Sequence, residues 1–252
     1  MIQGLYTSAS GMIAVESWQA AIANNIANAT TTGYKAQSPV QLGFYEYFSN
    51  SLRRPYVYNR EAAPGGGVKV VETYPDLSGG ILRSTGNPLN LALHGPGFFV
   101  VDTPFGERYT RAGDFSIDAD GHLSTQDGFK VMSENGQPLD VRGGRVIVAQ
   151  DGAVTVDAVP SGRVRVMEFE SPHRLMREGD NLYRAPDEIL LQSAQAVDTR
   201  IEQGHLELSN VDISRQMSQM LLGMRAYEAN QRVIQAADTT ISRLIEQVAM
   251  PV

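Results

Sequence analysis

Ile213–Val248 reads ISRQMSQMLLGMRAYEANQRVIQAADTTISRLIEQV, and counting by sevens from its first residue gives Ile213, Met220, Tyr227, Ile234, Ile241 and Val248, all apolar. The companion line Met217, Met224, Gln231, Asp238 and Ile245 is apolar at three of its five places. A repeat of this length predicts a helix that packs lengthwise against other helices. Tyr227 lies on the seam, so its hydroxyl needs a partner or an edge position.

The other end of the chain carries a similar signal. From Ile2 to Asn28 the apolar residues Ile2, Leu5, Ala9, Met12, Val15, Ile22 and Ile26 fall near one helical stripe, with Ala23 beside it and Glu16 and Gln19 interrupting it. The stripe runs into ANNIANATTTGYK, Ala23–Lys35. Asn24 and Asn28 share a helix face and Asn25 points elsewhere, so the amides can bond in more than one direction. One reading is helix termination, with Asn and Thr serving loose backbone groups and Gly33 turning left-handed to close the helix. The other is that neighbouring helices of an assembly satisfy the amides.

Between the two ends, from about Gly43 to His205, the period changes to two. GFFVVDTPFGERYTRAGDFSIDADGHLSTQDGFKVMSENGQPL, Gly97–Leu139, sets short Phe-, Val-, Tyr- and Ile-rich runs between Phe-Gly, Asp-Gly, Asp-Gly and Asn-Gly. Such dipeptides supply positive φ in tight hairpins, so successive antiparallel strands are expected. RVIVAQDGAVTVDAV, from Arg145, repeats the logic around Asp151-Gly152, and RVRVMEFE, from Arg163, adds a strand. REAAPGGGVKV, from Arg60, reads as a flexible connector. The expected fold is α+β: a mainly-β domain at 43–205, and terminal helices in 1–42 and 206–252 that pair as a coiled coil in an assembly.

Composition narrows the function. The net charge is −7, and Arg53-Arg54 with the scattered basic residues makes no stripe, which disfavours nucleic acid as a partner. Cysteine is absent, which removes disulfides and thiol chemistry. No segment approaches a membrane span, and MIQGLYTSASGM lacks the basic and apolar regions of a secretory signal. His94, His122, His173 and His205 are far apart in sequence. Ser116, Asp118, Asp120, Gly121 and Asp127 match positions of a twelve-residue calcium loop, but their flanks read as strands around an Asp-Gly turn rather than as helices. The glycine-rich connector lacks the lysine and hydroxyl of a phosphate loop. No catalytic, cofactor or metal site is expected.

Two long motifs at opposite ends carry a resemblance. LYTSASGM (from Leu5) leading to NNIANATTTGYK (from Asn24) resembles the N-terminal signature of bacterial flagellar rod and hook proteins. GHLELSNVDISRQMSQMLLGMRAYEANQRVIQAAD (from Gly204) is similar to their C-terminal signature, and LNLALHGPGFFVVDTPFGERYTRAGDFSIDADGHLSTQDG (from Leu89) to the β domain of the rod members. Gly223-Met224 departs from the pattern, since many relatives carry polar residues there. The absence of a long hook-type insertion favours a rod subunit over a hook subunit, with distal rod, proximal rod and a rod-like paralogue all open.

The resemblance implies a structural subunit, exported uncleaved through the flagellar type III apparatus and added to a hollow helical shaft in the basal body, outside the cytoplasmic membrane. Its partners would be copies of itself and other rod and hook subunits. The candidate assembly interface comprises Leu5, Ala9, Met12, Ile22, Asn24, Asn25, Ile26 and Asn28 of the first helix. Met217, Met220, Met224, Tyr227, Asn230, Ile234, Ile241 and Ile245 complete it on the last. Two other readings of the residues stand beside this one: a monomeric β-domain binding module with a coiled-coil stalk, and a cell-wall-acting enzyme.

Overall fold

The computed structural model describes residues 2–43, 68–179, 181–186, 193–195 and 199–249. Two helices, α1 (Ile2–Ala27) and α2 (Ile213–Ala249), bracket a region of strands. The chain forms two compact units: Met1–Ala27, Gln37–Pro75 and Asp212–Val252 make the first, and Asn28–Ala36 with Asp76–Val211 the second. Arg53-Arg54 and the glycines of the expected connector, Gly65 to Gly67, lie outside the described residues.

In the first unit α1 packs on α2 and on an antiparallel pair, β1 (Gln37–Gly43) and β2 (Val68–Pro75). The backbone thus turns to strand at Gln37, past the expected helix end at Asn28 and within the stretch, 1–42, expected to form the terminal domain. Ser10 ties the helix to this ribbon, its hydroxyl accepting from the Val68 amide at 3.3 Å.

The second unit begins with β3 (Leu82–Ser84), β4 (Leu91–His94), β5 (Phe98–Thr103), β6 (Gly106–Thr110), β7 (Ser116–Ile117), β8 (Leu123–Ser124) and β9 (Lys130–Val131). It continues with β10 (Val146–Val148), β11 (Ala153–Val156), β12 (Val159–Arg163), β13 (Val166–Phe169), β14 (Met176–Gly179), β15 (Leu182–Arg184), β16 (Ser193–Gln195), β17 (Arg200–Gln203) and β18 (His205–Glu207). All the pairings among these strands are antiparallel, as the hairpin signals require. The largest sheet runs β14-β15-β6-β5-β9-β8-β7, with β13 bridging β5 to β16. Gly106, Gly121, Gly128, Gly136 and Gly152, the second residues of the five turn dipeptides, all have positive φ.

Strand β5 anchors the core. Its alternate residues enter opposite clusters, Phe98 and Val100 with Tyr109, Phe169 and Tyr183, and Phe99 and Val101 with Phe115, Leu123 and Val164. A strand covered on both faces reads as a continuous apolar run, which is why FFVV shows no alternation. The rings meet edge to face, Phe98 at 5.8 Å from Phe169 and Phe99 at 5.1 Å from Phe115. By contrast β10 keeps the half-buried pattern, Val146 and Val148 inward and Ile147 outward. A 3-10 turn, Pro172–Arg174, interrupts the expected run of strands.

Candidate functional site

The two terminal helices run antiparallel, and three contacts fix their register. Asn25 Nδ2 donates to Gln216 Oε1 at 3.4 Å. Seven residues back along α1 and seven forward along α2, a Cβ on Gly223 would meet the Gln19 side chain at 3.3 Å and Trp18 at 3.6 Å. One step of seven further, a Cβ on Gly11 would meet the Asn230 amide at 3.2 Å. The line of α2 facing α1 is therefore Gln216, Gly223 and Asn230 beside Met220, Tyr227 and Ile234. The departure at Gly223 lies in this packed crossing, where a Cβ would press on Gln19 and touch Trp18, the only tryptophan in the chain.

The companion line chosen by hydropathy lies elsewhere. Met217, Met224 and Ile245 are exposed, while Met220, Asn230, Ile234 and Ile241 are half-buried and Tyr227 is on the edge of the seam. On α1, Ile22 and Asn25 are buried, Ala9, Met12 and Ile26 half-buried, and Leu5 and Asn24 exposed, while Asn28, half-buried, stands one residue past the helix end. Periodicity missed Gly11, Gln216 and Gly223 because glycines and amides carry no apolar signal, whereas Trp18, three residues after Val15 and four before Ile22, has the spacing of the stripe.

Much apolar surface is left over in this unit. A second heptad line on α1, Tyr6, Ile13, Ala20 and Ala27, is exposed throughout. Around α2 the uncovered residues flank the seam on both sides, Met217, Leu221 and Met224 on one and Leu222, Ala229, Val233 and Ala236 on the other. Leu221 and Leu222 are 61% and 58% exposed. Apolar side chains that gather outside the stripe facing α1 mark a surface that other protein covers, and no described helix is long and apolar enough to cross a membrane.

The asparagine stretch resolves into two clasps, one in each unit. Asn25 is buried: its Oδ1 accepts from the Gln37 amide and its Nδ2 donates to the Gln37 carbonyl, both at 2.8 Å. It thus pins the start of β1 to α1 within the chain. Gly33 has φ of +67° but stands well past the helix end, where its amide donates to the Glu207 carbonyl at 2.8 Å. A Cβ there would lie 2.4 Å from the Ala112 nitrogen, so the close approach itself needs glycine.

In the second unit Lys35, from the N-terminal motif, reaches Glu207, from the C-terminal one. Their side chains are 1% and 2% exposed and 2.6 Å apart, and Lys35 Nζ also donates to the Ser78 carbonyl at 2.7 Å. Glu207 Oε1 accepts from the Gly80 amide at 2.8 Å as well. Arg111 stands over the Phe98 ring, 3.6 Å from Glu207 Oε2, and lines with Glu207 a cavity of about 410 Å³. Burial pushes Lys35 and Arg111 below their usual values, and the Glu207 charge opposes the shift in both. Asn210 adds a second tie, accepting from the Ala36 amide at 2.7 Å and donating to the Asp76 carbonyl at 2.8 Å. Sequence reading singled out none of these four side chains.

The calcium-like loop is a hairpin, β7 and β8 paired Ser116 to Ser124 around Gly121. Asp118, Asp120 and His122 do gather at its tip, with ligand atoms within 4.8 Å of one another. Lys130 Nζ lies 3.8 Å from Asp118 and 3.4 Å from Asp120, and the His122 amide bonds Asp118 Oδ1 at 2.8 Å. That backbone bond, then His122 and Lys130, holds the Asp118 carboxyl below the usual range.

Comparison with known proteins adds the lineage. Residues 5–35 match the family "Flagella basal body rod protein", 92–156 "Flagellar hook protein FlgE/F/G D1 domain" and 202–247 "Flagellar basal body rod FlgEFG protein C-terminal". The chain is 32% identical to the hook-basal body complex protein FlhO of Bacillus subtilis, over 98% of this chain and 99% of the relative. It is also 32% identical to the rod protein FlgF of Caulobacter vibrioides, over 91% of each. With FlgG of Borreliella burgdorferi the identity is 29% over 96% and 97%. Such identity along nearly the whole of both chains, with matches at both termini and in the β region, makes this chain a member of the flagellar basal-body rod protein family.

Proposed function

We propose that the chain is a structural subunit of the bacterial flagellar rod, polymerising into a hollow helical shaft that transmits torque. The observation that carries this reading is the apolar surface flanking the α2 seam on both sides, in a chain of rod lineage. Unlike surfaces that meet in succession without closing on themselves generate a helical filament. The assembly region combines Leu5, Ala9, Met12, Asn24, Ile26 and Asn28 with Met217, Met220, Met224, Tyr227, Asn230, Ile234, Ile241 and Ile245, Leu221 and Leu222 extend it, and Ile22 and Asn25, buried within the chain, hold the helix in place behind it. In the assembly the helices pair as a coiled coil.

The subunit acts mechanically, without a catalytic step. It leaves the cytoplasm through the flagellar type III apparatus with no cleaved signal and joins other rod and hook subunits in the cell envelope. Leu221→Asp tests the assembly. The side chain is exposed, so the subunit should keep its helix content, while a carboxylate in a packed contact costs desolvation energy. Cells whose single copy carries Leu221→Asp should be non-motile and lack rods. Full motility would favour the stalked monomeric module instead.

A further inference from the structure

The assembly reading leaves open which surfaces of α1 and α2 meet. A groove between the two helices, about 360 Å³, is lined by Glu16, Gln19, Met224, Tyr227 and Glu228. Two carboxylates, one from each helix, border an otherwise apolar and amide floor. Further round α2 runs a strip with the complementary character: Leu222, Arg225, Ala229, Arg232 and Ala236, at steps of three and four and exposed throughout. Its apolar members are one leucine and two alanines, and its two arginines lie on one line, about 10 Å apart along the helix.

We infer that the strip of one copy seats in the groove of a second copy, with Arg225 and Arg232 reaching Glu16 and Glu228. This rests on the proposed assembly and specifies its pairing. Charge selects the partner face. Strip on strip would oppose arginines, groove on groove would oppose carboxylates, and only the unlike pairing brings opposite signs together over an apolar centre. Neither Glu16 nor Arg225 has an ion-pair partner among the described residues. Arg232 meets Glu228 of its own helix only at 4.0 Å, with both side chains largely in solvent, a pair that holds neither group back. Because groove and strip are different surfaces of each copy, each subunit offers one of each and the contact can repeat indefinitely.

Charge reversal with rescue tests the pairing on the full-length protein, by light scattering and sedimentation across a concentration series. Arg225→Glu with Arg232→Glu makes strip and groove both acidic, and Glu16→Arg with Glu228→Arg makes both basic. Either double variant should raise the concentration needed for assembly about tenfold or more. An equimolar mixture of the two, and a single chain carrying all four substitutions, should each recover assembly, which a misfolded variant would not. Assembly of either double variant at the wild-type concentration, or no recovery in the mixture and the fourfold variant, overturns the pairing while the rod reading stands. A closed dimer as the end state overturns it too. A wild-type chain that stays monomeric at every concentration removes the assembly reading itself, and this inference with it.

Discussion

Lys35 and Glu207 stand 172 positions apart in sequence and 2.6 Å apart in space, in a site closed to solvent. Taking two charges out of water is costly, and the pair is tolerable because each also bonds backbone: Lys35 the Ser78 carbonyl and Glu207 the Gly80 amide. Arg111 adds a second cation and its stacking on Phe98. Removing the shared anion leaves two buried cations uncompensated. Glu207→Ala is therefore expected to lower the unfolding free energy by about 3–5 kcal/mol, the cost of breaking a buried pair from one side. Urea unfolding measures it, and a loss below about 1 kcal/mol would mean that the site relaxes to admit solvent.

Between α1 and α2 the decisive position is Gly223, buried where Trp18 and Gln19 cross. Two effects compete on substitution. Alanine is the better helix former by about 1 kcal/mol, and its Cβ would press at 3.3 Å only on the flexible Gln19 chain, which can give way. Gly223→Ala should then raise the melting temperature of the full-length protein, or leave it unchanged. Leucine carries three more carbons toward the Trp18 ring and should destabilise by about 1–3 kcal/mol through overpacking. Equal melting temperatures for the two variants would show that the helices part easily at this level.

Across the whole chain, the division into two units predicts where it can be cut. Lys35, Asn210 and Gly33 all serve the second unit, although they lie in the motifs at the two ends of the sequence. A fragment spanning 28–211 keeps every one of those ties, carries Gln37–Pro75 of the first unit as an insertion, and should unfold cooperatively as a monomer. Trimming it to 36–209 removes Lys35 and Asn210, leaving Glu207 without its closest cation and the Ala36 amide without its acceptor. The shorter fragment should melt well below the longer one in calorimetry. Equal stability would show that the β sheets hold without the clasp.

Periodicity and turn chemistry are properties of a segment by itself, so the sequence alone determined the two helices, the antiparallel hairpins with their positive-φ glycines, and the rod lineage carried by the end motifs. The face of α2 that meets α1 was decided only in three dimensions. The line through Met217 and Met224 is the more apolar, yet the one through Gln216, Gly223 and Asn230 faces α1, where small and amide side chains let Trp18, Gln19, Gly11 and Asn25 come close. Asn25 likewise bonds Gln37 and Gln216, where local reading offered only termination or a neighbouring subunit. The Lys35–Glu207 clasp was invisible for the same reason: a buried charge is stable only beside its partner, and nothing local to either residue records what the fold brings to it.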